Sequence, residues 1–336
     1  MDTYPISASS LERYYYVDGH QLERQYKEHL SGYAKWKVSE EGKNAGKWMV
    51  FPENIGPCMS IDETSLSDGE LYTIVSNKAA HGRRHALAAI IYGTRAEDVY
   101  TALWNIPENV RNNVTEITLD LSSSMRKIAR MAFPKATQVV DRFHVQKLTL
   151  DALQEMRIRH RWDAIREENE LLAELRRARG DGGDVDKYKP KVYGNGDTKK
   201  QLLARSRYLL FKAAYKWTDS QKKRARVLFS LYPDLERAYR LADELRQIYS
   251  KSDRKGVAYT KLAHWYRHVE ESGFNSFNVI KETLYENYSD ILNFFDHRAT
   301  NASAESFNAK IKHFRAQLRG VSDINYFLFR LKMIYA

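Results

Sequence analysis

The sequence predicts an α/β protein whose sheet occupies the first half of the chain and whose second half is helical. Three observations predict it. Short runs rich in β-branched and apolar residues lie between Cys58 and Asp141, helix-patterned segments separate the last of these runs, and apolar residues recur at helical spacing through most of the chain beyond Asp141.

Taken in order, residues 10–36 read as helix broken near Asp18 and Gly19, with Leu22, Tyr26 and Leu30 spaced four apart on one face. The stretch "SEEGKNAGKWMVFPENIG" reads as a connector, so residues 1–56 form an N-terminal helical arm. The runs "CMSID", "LYTIVS" and "HALAAIIYG" are joined by turns short enough for an antiparallel meander. The runs "VTEITLD" and "ATQVVD" each follow a helical segment, "AEDVYTALWNI" and "SSMRKIARMAF", and should lie parallel to the first strand. The expectation for residues 57–150 is a mixed five-stranded sheet with flanking helices.

Residues 151–296 read as helices, interrupted by "GDGGDVDKYKPKVYGNGD", a flexible surface loop by its Gly and Pro. Between Lys199 and Arg226 ten basic residues face one acid, Asp219, with Tyr208, Phe211, Tyr215 and Trp217 interleaved. Tyr208 and Phe211 are expected in a helix core, and Trp217 is open between core and a base-stacking surface. Residues 297–336 supply the last helices.

Composition narrows the function classes. With 336 residues, 43% hydrophobic and 12% aromatic, the chain can bury one large or two ordinary cores and lacks the signature of disorder. No apolar run is long enough to span a bilayer, and the N-terminus lacks a signal-peptide pattern, so the expectation is a soluble, cytoplasmic, nucleoid-associated protein. A net charge of +11 favours polyanionic partners, nucleic acid first. The single cysteine, Cys58, excludes an internal disulfide and a multi-cysteine zinc site, and its apolar neighbours suggest a buried thiol.

Asp62 closes the first β run and Asp120 closes "EITLD". Taken singly, either aspartate reads as a turn former. Placed on adjacent parallel strands, they bring two carboxylates side by side, where a divalent cation relieves the repulsion. Glu63 should point to the opposite face, because strand side chains alternate. A two-metal phosphoryl-transfer site calls for a third carboxylate, and Glu305 is the candidate. On a helix starting near Asn301, Asn308 and Lys312 share its face at i+3 and i+7. A first-turn Glu stabilised by the helix dipole fits the same spacing equally well.

The ordered blocks "SIDETSLSDGELYTIVSNK", "EITLDLSSSMRKIARMAFPKATQVVDRFHVQKL", "LLFKAAYKWTDSQKKRARVLF" and "FFDHRATNASAESFNAKIKHFRAQLRGVSDINYFLFRLK" resemble bacterial insertion-sequence DDE transposases of the ISL-three type, from about Cys58 to the C-terminus. The resemblance implies an RNase H-like core with a large helical insertion before the last catalytic helix. It implies that Asp62, Asp120 and Glu305 are the catalytic triad, binding two Mg²⁺ ions for which Mn²⁺ can substitute. Asp141, Arg142 and His144 of the "DRFHV" block would support the site, His144 by orienting a phosphate or by capping the following helix. Asn308, Lys312, Arg315, Arg319, Lys222, Lys223 and Arg224 are the expected contacts to transposon-end and target DNA. The chain lacks the zinc-binding segment and complete helix-turn-helix of full-length relatives. It resembles the branch in which a separately encoded polypeptide supplies the N-terminal DNA reader, with homo-oligomers acting on paired ends. The alternatives are an RNase H-like nuclease or resolvase, or an inactive DNA-binding remnant.

Overall fold

The fold is that of a computed structural model, which describes residues 1–66, 69–179, 188–298, 301–318 and 323–336. Arg319 and the core of the glycine-rich loop, 180–187, lie outside the described residues. The chain divides into two compact units, one formed by Met1–Arg142 with Ser289–Ala336 and the other by Phe143–Tyr288. The sequence expectation set the helical insertion at 151–296.

In the first unit the described residues form one mixed sheet of six strands, against an expected five. The strands are β1 (Trp48–Val50), β2 (Cys58–Ser65), β3 (Leu71–Asn77), β4 (Leu87–Tyr92), β5 (Glu116–Leu119) and β6 (Thr137–Val140), in the order β1-β4-β3-β2-β5-β6. The extra strand, β1, comes from the segment read as a connector. It pairs antiparallel with β4, Met49 opposite Ile90, and three residues are too few to show a period of two. The meander β2-β3-β4 is antiparallel, and β5 and β6 run parallel to β2 as their intervening helices require.

Alternation along the strands divides the apolar side chains between two cores, one on each face of the sheet. Met59 and Ile61 join Ile117 and Leu119 against helices α5 (Ala96–Leu103) and α7 (Ser123–Ala132). Helix α7 buries Met125, Ile128, Ala129 and Ala132, an i, i+3, i+4, i+7 stripe, and Ser122 caps it by accepting from the Met125 N–H. On the opposite face, Ile74, Leu87 and Ile90 meet Phe307, Ile311 and Phe314 of α16 (Ala302–Gln317) and Phe327 and Leu331 of α17 (Ile324–Tyr335). Each such buried side chain contributes about 1.5–3 kcal/mol relative to exposure. Short helix α6 (Glu108–Arg111) and α15 (Tyr288–His297) complete the set around the sheet.

The N-terminal arm packs on the second core. It comprises α1 (Ala8–Tyr15), α2 (Gly19–Gln25), α3 (Tyr33–Val38) and α4 (Glu40–Asn44), broken at Asp18 as expected, since Asp18 caps α2. Tyr26, Tyr33 and Trp36 are buried against Tyr326 and Phe329 of α17. Leu30 departs from its expected face and is exposed, because residues 26–30 form a π-turn whose extra residue per turn rotates it outward. Arg330, 0% exposed, ties the arm down: its Nη2 donates to the carbonyls of Met1 (2.7 Å), Tyr4 (3.1 Å) and Ile6 (3.2 Å).

The second unit is helical: α8 (Arg142–Arg179, entering from the first unit), α9 (Lys199–Arg205), α10 (Arg207–Phe211), α11 (Asp219–Leu231), α12 (Pro233–Lys251), α13 (Lys255–Ser272) and α14 (Asn275–Glu286). Capping boxes at Thr198 with Gln201 and at Thr218 with Gln221 start α9 and α11. Trp217 belongs to this core: its ring lies among Phe229 and Tyr239, and its indole N–H donates to the Leu209 carbonyl at 2.8 Å. Tyr208 corrects the expectation of burial, being 68% exposed, because Leu209 and Leu210 take the inward face of the short α10. Cys58 is half-buried and free.

Candidate active site

The site is built on the parallel pair β2 and β5. Their pairing runs from Cys58 opposite Glu116 to Ser60 opposite Thr118. Asp62 and Asp120 each lie two residues beyond the last of these pairs, and both carboxylates act on Glu63. Strand β2 does not end at Asp62 as expected but continues to Ser65, because β3 goes on pairing with it through Ser65 opposite Leu71. Asp62 therefore sits where the β5 partner leaves, on the C-terminal side of the parallel strands, where α/β sheets open crevices. Asp120 follows β5 directly, and its Oδ1 accepts the Ser122 N–H at 2.8 Å, the turn that launches α7.

Helix α16 approaches the same face of β2. At its start, the Ser60 hydroxyl bonds the Asn301 side-chain oxygen, and the Asn301 N–H donates to Asp141 Oδ1 at 3.3 Å. Two turns along, Asn308 Nδ2 donates to Asp62 Oδ2 at 2.6 Å, while Asp62 Oδ1 accepts the Glu63 N–H at 2.9 Å. A bond that short from an amide to a carboxylate is charge-assisted and fixes the orientation of Asp62. Glu305, in the first turn between Asn301 and Asn308, holds the helix geometry through its N–H to the Asn301 carbonyl at 2.9 Å. One of its carboxylate oxygens lies within 4.8 Å of an Asp141 carboxylate oxygen. Asp141, directly after β6, is 2% exposed, and its Oδ2 is buried without a hydrogen-bond partner.

The acids feel one another. Glu63 is pushed above the ordinary carboxylate range by burial, then by the Asp120 carboxylate, then by that of Asp62. The sequence reading set Glu63 aside on strand alternation alone, yet it stands in the field of both aspartates. Carboxylates gathered this way are costly unless cations or protons lie among them. The carboxylates offer hard oxygens, which suit Mg²⁺ or Mn²⁺, and the orphaned buried oxygen of Asp141 is the kind of acceptor a cation satisfies.

Other expected residues fall into three groups. Lys312 is exposed on α16, and Lys222 and Lys223 are exposed on α11, where the Lys222 ammonium donates to Asp219 Oδ1 at 3.2 Å. Arg142 is exposed at the start of α8, and His144 stands in the first turn of that helix with its ring edge-on to Phe143. Arg315 and Arg224 depart from the expected DNA contact. Arg315 is 5% exposed and bidentate to Glu70, Nε to Oε2 at 3.0 Å and Nη2 to Oε1 at 2.7 Å. Arg224 donates through Nε to the buried Asp197 at 2.8 Å, and Arg205 donates to its other oxygen at 2.5 Å. Both arginines neutralise a buried carboxylate inside the fold, a role that a count of basic residues does not distinguish from a free cation. Asn308 likewise turns to Asp62 instead of outward.

This chain belongs to the ISL3 family of DDE transposases: the family model, described as a transposase, matches residues 59–331. No curated protein and no solved structure matches the chain. Enzymes of this family generally catalyse phosphoryl transfer on DNA with divalent metals, and the matched region runs from β2 through α16, leaving out β1 and the N-terminal arm. Among the described residues no helix is long and apolar enough to cross a membrane.

Proposed function

We propose that this chain catalyses Mg²⁺-dependent cleavage and strand transfer at insertion-sequence DNA ends, on an RNase H-like core. Asp62, Asp120 and Glu305 would hold two ions. When bound, such ions lower the pKa of an attacking water or hydroxyl and stabilise the leaving oxygen of the phosphodiester. The observation that supports the reading is the bond from Asn308, one turn beyond Glu305, to Asp62, on a strand whose parallel partner β5 leads into Asp120.

The chain's own residues divide the remaining work. Asn308 and the Glu63 N–H orient Asp62, and the Ser122 N–H orients Asp120. Asn301 fixes the start of α16 on Ser60 and Asp141, so that Glu305 emerges at a set height above the sheet. Lys312, Lys222 and Lys223 offer exposed cations to the DNA backbone, giving salt-sensitive and largely sequence-independent affinity. Recognition of specific ends would fall to a separately encoded N-terminal polypeptide, and homo-oligomers would hold the paired ends.

The test is to incubate the protein with duplexes carrying the element's ends, target DNA and Mg²⁺, and to resolve the products. Joined strands support the reading. Nicks without joining would indicate a nuclease or resolvase, and binding without either product a remnant. Asp62→Asn, Asp120→Asn and Glu305→Gln should each lower joining by orders of magnitude while the protein still binds DNA.

A further inference from the structure

The geometry points to Asp141 as a metal ligand in its own right, forming with Glu305 a second cation site beside the one defined by Asp62 and Asp120. This rests on the strand-transfer reading and adds a fourth carboxylate to it. Asp141 is placed by β6, the strand next to β5, so three consecutive parallel strands each deliver one aspartate at the same end of the sheet.

Its two oxygens are treated differently by the fold. Oδ1 accepts the Asn301 N–H, which locks the carboxylate plane. Oδ2 is buried without a hydrogen-bond partner, an arrangement that desolvates an anion with no donor to offset it. A residue serving only to anchor α16 needs no second buried oxygen, since an asparagine would accept the same N–H. The second oxygen has a purpose if a cation meets it, and the Glu305 carboxylate within 4.8 Å supplies the opposing ligand. Two oxygens on one Mg²⁺, each about 2.1 Å from it, stand about 3–4 Å apart. Mg²⁺ commonly rests on one or two carboxylates, completing its shell with water and substrate phosphate, so a pair suffices.

The experiment is a Mn²⁺ titration of the full chain, reading free Mn²⁺ by electron paramagnetic resonance, with thermal melting in parallel. The expected result is two ions on the wild type, with Asp141→Asn and Glu305→Gln each losing the same ion and Asp62→Asn losing the other. Asp141→Asn keeps the acceptor for Asn301 and removes one of two neighbouring charges, so its metal-free melting temperature should equal or exceed the wild type's while its Mn²⁺-induced rise shrinks. Unchanged stoichiometry in Asp141→Asn, or a lower metal-free melting temperature with the full Mn²⁺ response, would overturn the assignment and leave Asp141 a structural residue. If Asp62→Asn still binds two ions while Asp141→Asn binds one, the strand-transfer reading fails and the Asp141 site stands. Anomalous scattering from Mn²⁺-grown wild-type crystals asks the same question without a variant: a peak at ligand distance from Asp141 Oδ2 supports it, and a loaded site out of its reach overturns it.

Discussion

Asn308→Ala probes the link between α16 and the sheet. The bond it removes is a 2.6 Å amide donor to a carboxylate, Asn308 Nδ2 to Asp62 Oδ2. Hydrogen bonds to charged groups contribute about 1.5–3 kcal/mol, which corresponds to about 10- to 150-fold in an equilibrium constant. Residues that orient a metal-binding carboxylate typically alter metal affinity or activity by about 10- to 100-fold when removed. The expected outcome is therefore a fall of about 10- to 100-fold in Mn²⁺ affinity. Joining activity should fall in parallel at low metal and largely recover at saturating metal, as befits a residue that acts through Asp62. The fold should suffer little, because Asn308 Oδ1 is buried without a partner and its removal relieves a desolvated acceptor. Metal titration and strand transfer on the same preparation are the assays. Wild-type Mn²⁺ affinity in Asn308→Ala would refute the reasoning that this bond positions a metal ligand.

Four further outcomes rest on the same structure. Asp197 is 1% exposed; burial alone would raise its pKa, but the hydrogen bonds and charges of Arg224 and Arg205 hold it below the ordinary carboxylate range. Its ion pairs thus stabilise the fold above the unfolded carboxylate pKa of about 3.9 and lose that contribution as pH falls through the lower folded value. Asp197→Asn should cost about 3–5 kcal/mol in urea unfolding at pH 7, with the gap to wild type closing only in strong acid. Neutralising Lys222 and Lys223 together to Ala should reduce the slope of log DNA affinity against log salt by about 2, with little change in melting temperature. Arg315→Ala should do the reverse, leaving the slope and destabilising by about 3–5 kcal/mol by stranding Glu70, as salt-series binding and denaturation on one panel would show. Arg330→Met should free residues 1–7 to protease and lower stability by about 3 kcal/mol, since the charge-assisted bonds to the Met1, Tyr4 and Ile6 carbonyls are lost against some regained apolar packing.

Features that depend on local pattern were legible without coordinates. The meander, the two parallel strands and the stripe on α7 arise from alternation, turn residues and helical spacing, which act within a dozen residues. Strand β1 escaped because its three residues gain their conformation from β4 and not from their own sequence. The end of β2 was misplaced because pairing stops on one edge at Ser60 and continues on the other to Ser65, and a sequence shows only one edge at a time. The shared face of Glu305 and Asn308 was legible from a spacing of three. That Asn308 reaches Asp62, 246 residues away, was not, nor was the capture of Arg315 by Glu70 and of Arg224 by Asp197. Long-range polar pairs leave no periodic trace, so a buried arginine and a free one look alike in a list of charges. The signal for Asn301 was present as a polar residue just before an apolar-patterned helix, a capping position, though its side chain serves Ser60 instead.

The most direct measurement of the central claim is a thiol replacement. If Asp120 ligates the metal that drives chemistry, Asp120→Cys should lose strand transfer in Mg²⁺, which binds sulfur poorly, and regain it in Mn²⁺, which tolerates a softer donor. Activity lost equally in both metals with DNA binding intact, or retained in Mg²⁺, would contradict a metal held between Asp62 and Asp120.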